Sequence, residues 1–230
     1  MNLHDITEQP IFGLALSLIS YSLALYLYRR WKWLHPLFVS SGLVIAFLLT
    51  TNIPYEAYRK GGDTLILLLG PATVALGIPF YKNAKRIRSS LLSIVGGVTV
   101  GSASALLLSA ALVWSLGGSK ELMVTMMPKS VTSPIALEIS RQAGGLPELT
   151  AVLTVLTGLI GSMFGPALLR LCGVRDDISI GTAIGTAAHG IGTARVIKDS
   201  ELQGSVGGFA MGAAAIITSF LFIPLYIWLR

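Results

Sequence analysis

The chain is 230 residues long, 53% hydrophobic and 12% charged, with a mean hydropathy of +0.73. Such a composition is too apolar to close a water-soluble surface, so it specifies an integral membrane protein. The formal net charge of +6 sits in short clusters between apolar runs, which fits positive-inside topology and argues against a nucleic-acid partner, and the single Cys172 excludes an internal disulfide or a thiolate metal cluster.

The amino end, MNLHDITEQP, carries Asp5 and Glu8 and no basic residue, and is read as leading into a retained span rather than a cleavable signal. Hydropathy predicts spans at about 11–28, 36–52, 64–81, 89–116, 149–172 and 205–229. Two further stretches, about 120–145 and 177–198, are long enough to enter a bilayer but too rich in Gly, Pro, Ser and Thr for ordinary helices, which predicts broken helices or re-entrant hairpins. The expected fold is an all-α polytopic membrane protein, six clear transmembrane helices plus two broken segments. It forms a single domain, with two helices over 1–60 and a core over 63–230. Arg29, Arg30 and Lys32 follow the first span, and Lys82, Lys85, Arg86 and Arg88 the third, so both loops are placed inside and the amino terminus outside. The side of the carboxyl terminus stays open.

Val95 to Ala103 (VGGVTVGSA) echoes Val206 to Ala214 (VGGFAMGAA). Each copy follows an interrupted segment, Gly70-Pro71 and Pro79 in the first case and the glycine-threonine stretch in the second. This suggests an internal, inverted repeat of the kind transporters use. The alternative is small-residue packing, since Gly97/Gly101, Gly161/Gly165 and Gly208/Gly212 share the GxxxG spacing.

Residues Gly181 to Arg195, GTAIGTAAHGIGTAR, are the most unusual in the chain. In a helix Thr182, Thr186, His189 and Thr193 share one face, beside Gly181, Gly185 and Gly192, whose lack of side chains weakens the helix. Backbone N–H groups at a break there would form an anion site, with Arg195 as a planar partner for a carboxylate and His189 as a proton relay. The competing readings are a snorkelling arginine and a hydrogen-bonded structural histidine. In Met127 to Ala136, Pro134 suits a helix start with Ser133 as its N-cap, Ser130 and Thr132 add hydroxyls, and Lys129 adds a charge that favours an anion. An ordinary capped loop is the alternative. Glu138, Arg141, Asp176 and Asp177 read as solvated ends or local pairs. Phosphate-binding, HExxH and GxSxG patterns are absent, so an enzyme is not expected, nor a metal or cofactor.

The blocks PKSVTSPIA (Pro128 to Ala136), GLIGSMFG (Gly158 to Gly165) and GTAAHGIGTAR (Gly185 to Arg195) make the chain resemble the LrgB/CidB family, over essentially its whole length. The resemblance implies a multi-pass protein of the bacterial inner membrane with one of two activities. One is transport of small monocarboxylates such as glycolate, glycerate, lactate or pyruvate, as in the related plastid carrier. The other is antiholin-like control of murein hydrolases and lysis. It also implies a separate LrgA/CidA-like small membrane partner. The carrier is preferred because Lys129, Ser130, Thr132, Ser133, Gly185, Thr186, His189, Gly190, Thr193 and Arg195 offer the amides, hydroxyls and cations a small organic acid anion requires. Pro71, Pro134, Gly181 and Gly192 are expected to break or pack the helices. The coupling ion, H+ or Na+, stays open, and small-residue faces favour a homo-oligomer.

Overall fold

A computed structural model describes residues 7–31, 35–68, 71, 74 and 77–229. The described residues form α-helices α1 (Pro10–Arg30), α2 (Pro36–Thr51), α3 (Tyr55–Leu67), α4 (Gly77–Ser89), α5 (Leu91–Ser115), α6 (Lys120–Met126), α7 (Ser133–Gln142), α8 (Pro147–Leu171), α9 (Asp177–Val196) and α10 (Glu201–Leu229), with a 3-10 turn over Met127–Ser130. They divide into two compact units, 1–75 and 76–230. The division falls after α3, which itself runs through positions 60 to 63.

Four described helices, α1, α5, α8 and most of α10, are long and apolar enough to cross a membrane, and α2 is a shorter apolar helix. The count of six spans is therefore not reproduced. Residues 64–67 end the amphipathic α3 and 77–81 begin the basic α4. Between them Pro71 is helical and exposed, whereas Gly70 lies outside the described residues.

In the first unit α1 packs on α2 and α3. Gly13 and Gly61 let the backbones of α1 and α3 touch, because a Cβ on either would overlap backbone of the other helix. The Ser17 and Tyr58 hydroxyls meet at 3.0 Å, and Lys60 pairs with Glu8. Pro36 starts α2, and Asn52 ends it in the left-handed conformation (φ 53°).

In the second unit the outside is apolar and much of the inside is hydroxylic. Leu92, Trp114 and Leu171 are exposed, while Ser102, Thr125, Ser140, Thr150, Thr154, Ser162, Thr193 and Thr218 are buried. That inversion suits lipid as the surrounding solvent.

The segment 177–196 is a re-entrant hairpin. Its backbone leaves helical geometry at His189 (φ 41°, ψ −138°). Beyond that point the chain returns alongside itself: a Cβ on Gly192 would sit 2.5 Å from Ala188 Cβ and 2.7 Å from Ile184 Cγ2. In a straight helix Ile184 and Gly192 would be about 12 Å apart. Ile180, Ile184, Ala188 and Val196 pack as one cluster, and the feet close where Ser200 Oγ and Gln203 Nε2 each donate to Asp177 at 2.7 Å.

The segment 120–145 folds the same way. α6 leads in, the 3-10 turn and the extended Val131 and Thr132 form the tip, and α7 leads out. Thr125 Oγ1, in the last turn of α6, accepts from the Leu146 amide beyond α7 at 2.9 Å and ties the two arms together.

The two hairpins enter from opposite ends. α8 reads off the geometry, since Thr150 at its start bonds the first hairpin, whereas Gly158, Gly161 and Gly165 lie against His189, Ala188 and Ile184 of the second. Arg170, at its far end, reaches Asp199 at 3.3 Å.

The echoing VGG helices run in the same sense, which corrects the expectation of an inverted pair. Along α5, Gly97 and Gly101 face Thr182 and Thr186, and along α10, Gln203 and Gly207 face Gly181 and Gly185. Small residues at 97/101 and 161/165 do mediate packing, but a Cβ on Gly208 or Gly212 would meet nothing within 4 Å.

Candidate functional site

The 3-10 turn of the first hairpin comes within 8 Å of α9, Cα to Cα. Each tip joins the carboxyl end of one short helix to the amino end of another, where backbone carbonyls and amides lose their regular helical partners. Such backbone is tolerated at membrane depth only where protein or a wet cavity surrounds it.

At the first tip Lys129 is half-buried and has no carboxylate partner among the described residues. Thr132 is the N-cap of α7, in place of the expected Ser133, and its side chain makes no capping hydrogen bond. Ser133 and Pro134 are the first two helical residues, and Ser130 and Ser133 are half-buried.

At the second tip His189 is 5% exposed and its Nε2 donates to the Thr154 carbonyl at 3.0 Å. Its ring occupies the space that a side chain at 158 would fill, for a Cβ on Gly158 would lie 2.7 Å from Cε1. His189 is thus a hydrogen-bonded anchor at the turn. Gly190 leaves room beside it, with only Met211 Sδ at 3.6 Å from a built Cβ.

Other expected ligands have different work. Thr186 and Thr193 donate to the carbonyls of Thr182 and His189, at 2.7 and 2.8 Å, so their hydroxyl protons are committed to their own hairpin. Gly181 and Gly185 admit the backbone of α10, and Gly192 admits the opposite arm. Arg195 lies at the foot of the hairpin rather than its tip, paired with Asp199 at 2.7 Å, which places it apart from Lys129 and His189.

The foot is a polar latch. Hydrogen bonds from Gln203 and then Ser200, with the nearby Arg86 charge, hold the Asp177 carboxyl below its ordinary range against a smaller opposing effect of burial. Asn83 Nδ2 adds a bond to Ser205 Oγ at 3.0 Å.

Sequence reasoning missed Thr150 and Thr154 on the long helix that contacts both hairpins, and took Gly158 only as the start of the GLIGSMFG block. Their four-residue spacing along α8 was the available signal. The cleft of about 320 Å³ between α5 and α10 is lined by Ala103, Leu106, Leu107, Leu221, Pro224 and Leu225, and offers an anion no donor.

No solved structure matches the chain. Among curated proteins it is similar to YwbG of Bacillus subtilis, 36% identical over 210 residues, covering 90% of this chain and 93% of the relative. YxaC of the same organism is 33% identical over 221 residues (95% and 96%), and a Haemophilus influenzae protein 36% over 208 residues (90% and 90%). All three carry the description "uncharacterized". The LrgB-like family matches residues 17–228, and with both hairpins and the helices that enclose them inside that range, the chain belongs to this family.

Proposed function

We propose that the protein is an alternating-access carrier of small monocarboxylates of the glycolate, glycerate, lactate and pyruvate class. The observation that carries this reading is the pair of re-entrant hairpins entering from opposite ends, with broken backbone at the tips and a Lys129 that has no carboxylate partner among the described residues. A tip-to-tip arrangement provides one binding locus reachable from either end by moving one hairpin, and helix amino ends with a cation favour a carboxylate. A lytic regulator acting beside a pore has no use for discontinuous helices in its own interior.

Positive-inside asymmetry supports an orientation in the bacterial inner membrane. The end with the second hairpin's feet holds Lys82, Lys85, Arg86, Arg170, Arg175 and Lys198, whereas among the described residues the other end holds Lys120 and Arg141. The second hairpin then opens to the cytoplasm and the first to the outside; by the same rule Arg29 and Arg30 at the end of α1 put the amino terminus outside. A small LrgA/CidA-like membrane protein and a second copy of this chain are the proposed partners.

The test is uptake of labelled glycolate, lactate and pyruvate into liposomes holding only this chain, with imposed H+ and Na+ gradients to identify the coupling ion. Saturable uptake that Lys129→Ala abolishes supports the carrier. Leakage of unrelated solutes without saturable uptake supports the lysis regulator instead, and recovery of uptake only with the small partner makes the carrier a two-component one.

A further inference from the structure

Two buried hydroxyls of the long helices have no hydrogen-bond partner among the described residues: Ser102 Oγ on α5 and Thr154 Oγ1 on α8. Their residues are 3% and 0% exposed. Serine and threonine in helices ordinarily return their proton to a carbonyl a turn back, as Ser109 and Thr157 do here at 2.6 and 2.8 Å. An unpaired hydroxyl is expensive in a dry interior, so two at one depth mark a place built to receive a polar guest.

The depth follows from register. On α8, Thr154 lies one turn from Thr150, which bonds the first hairpin, and one turn from Gly158, which receives the His189 ring of the second. On α5, Ser102 lies one turn from Val98, in the apolar cluster at the second hairpin's end, and one turn from Leu106, which packs with Val124 and Met127 of the first. α10 repeats the pattern. Its buried Thr218 stands one turn from Ala214 in the former cluster and one turn from Phe222 in the latter. Each of the three long helices thus places one buried hydroxyl where its contacts pass from one hairpin to the other.

We propose that Ser102, Thr154 and Thr218 form a hydroxyl girdle around the tips and hold the second oxygen of the substrate, the hydroxyl or carbonyl next to its carboxylate. The proposal rests on the carrier reading. There the tips and Lys129 take the carboxylate, while hydroxyls that both donate and accept suit an alcohol or a ketone oxygen equally. An acid without that oxygen leaves the girdle unpaired, which converts an unmade hydrogen bond into discrimination.

The test is ligand binding to the full chain in lipid nanodiscs, by calorimetry, with lactate, pyruvate and propionate. The wild type is expected to prefer lactate or pyruvate over propionate by roughly tenfold or more. Thr154→Val and Ser102→Ala should each reduce that ratio severalfold while propionate binding stays the same. Thr154→Ser, which keeps the hydroxyl, should preserve it. An undiminished ratio in Thr154→Val, with binding intact, overturns the girdle and leaves the carrier standing. Failure of the wild type to bind any of these acids overturns both.

Discussion

His189 Nε2 and the Thr154 carbonyl, 3.0 Å apart, join the turning point of one hairpin to the middle of the helix that also carries the other. The bond is buried, and His189 makes it from a backbone conformation that side chains rarely adopt, φ 41°. Residues in such conformations store about 1–3 kcal/mol, and they persist where surrounding contacts over-determine them. Here those contacts are the Thr154 bond and the pocket above Gly158.

Gly158→Ala is the direct probe of that pocket. Its Cβ would lie 2.7 and 2.8 Å from Cε1 and Nε2 of His189, too close without displacing the ring. Overpacking of this kind is expected to cost about 1–3 kcal/mol, read as a lower unfolding temperature in detergent, with a loss of uptake in liposomes.

Thr150 and Thr154, one turn apart and both fully buried, should respond oppositely to the same change. Thr150 Oγ1 lies 3.0 Å from the Thr125 carbonyl and 2.8 Å from Ser140 Oγ, so Thr150→Val strands these buried partners and should destabilise by about 1–3 kcal/mol. Thr154→Val removes a hydroxyl with no partner among the described residues, and thermal unfolding of the ligand-free protein should show unchanged or raised stability.

Arg195→Ala should leave uptake largely intact. Its pair with Asp199 is exposed at the foot, and such pairs contribute about 0.2–1 kcal/mol. Lys129→Ala, at the tip, should abolish uptake with little change in the unfolding temperature. The contrast between the two cations is measured in one liposome assay.

Acid should loosen the latch at Asp177. Its pKa is depressed in the folded protein, so its stabilising contribution is complete above the ordinary carboxylate value and is lost as pH falls through the folded value. Below about pH 4 the amides near Asp177 should therefore lose protection, exchanging faster relative to their intrinsic rate, which itself slows on acidification. In Asp177→Asn that acid-induced step should be absent.

The two interruptions were legible in the sequence because proline, glycine and threonine crowd stretches that lipid would otherwise make apolar. Which of the two expected forms they take, a broken span or a hairpin, was not, since hydropathy measures how far a segment can go and contains nothing about whether it comes back. The two polar stretches led to Lys129 and His189, but composition could not separate Arg195 from the tip. Six residues of helix and a partner at Asp199 made that difference. Thr154 was hidden by its neighbours, being one of four hydroxyl residues along an apolar helix, and its depth becomes meaningful only when Thr150 and Gly158 are seen touching different hairpins.

The order of these elements along the chain constrains how the protein is made. The first hairpin precedes α8, and the second precedes α10, so each leaves the ribosome before a helix that must cover it. Exposed turns and carbonyls do not survive contact with lipid, and neither hairpin is able to partition on its own at synthesis. Insertion must therefore be late, with the long helices threaded first and the hairpins drawn in behind them. A chain truncated before α10 would keep the second hairpin at the membrane surface, within reach of proteases.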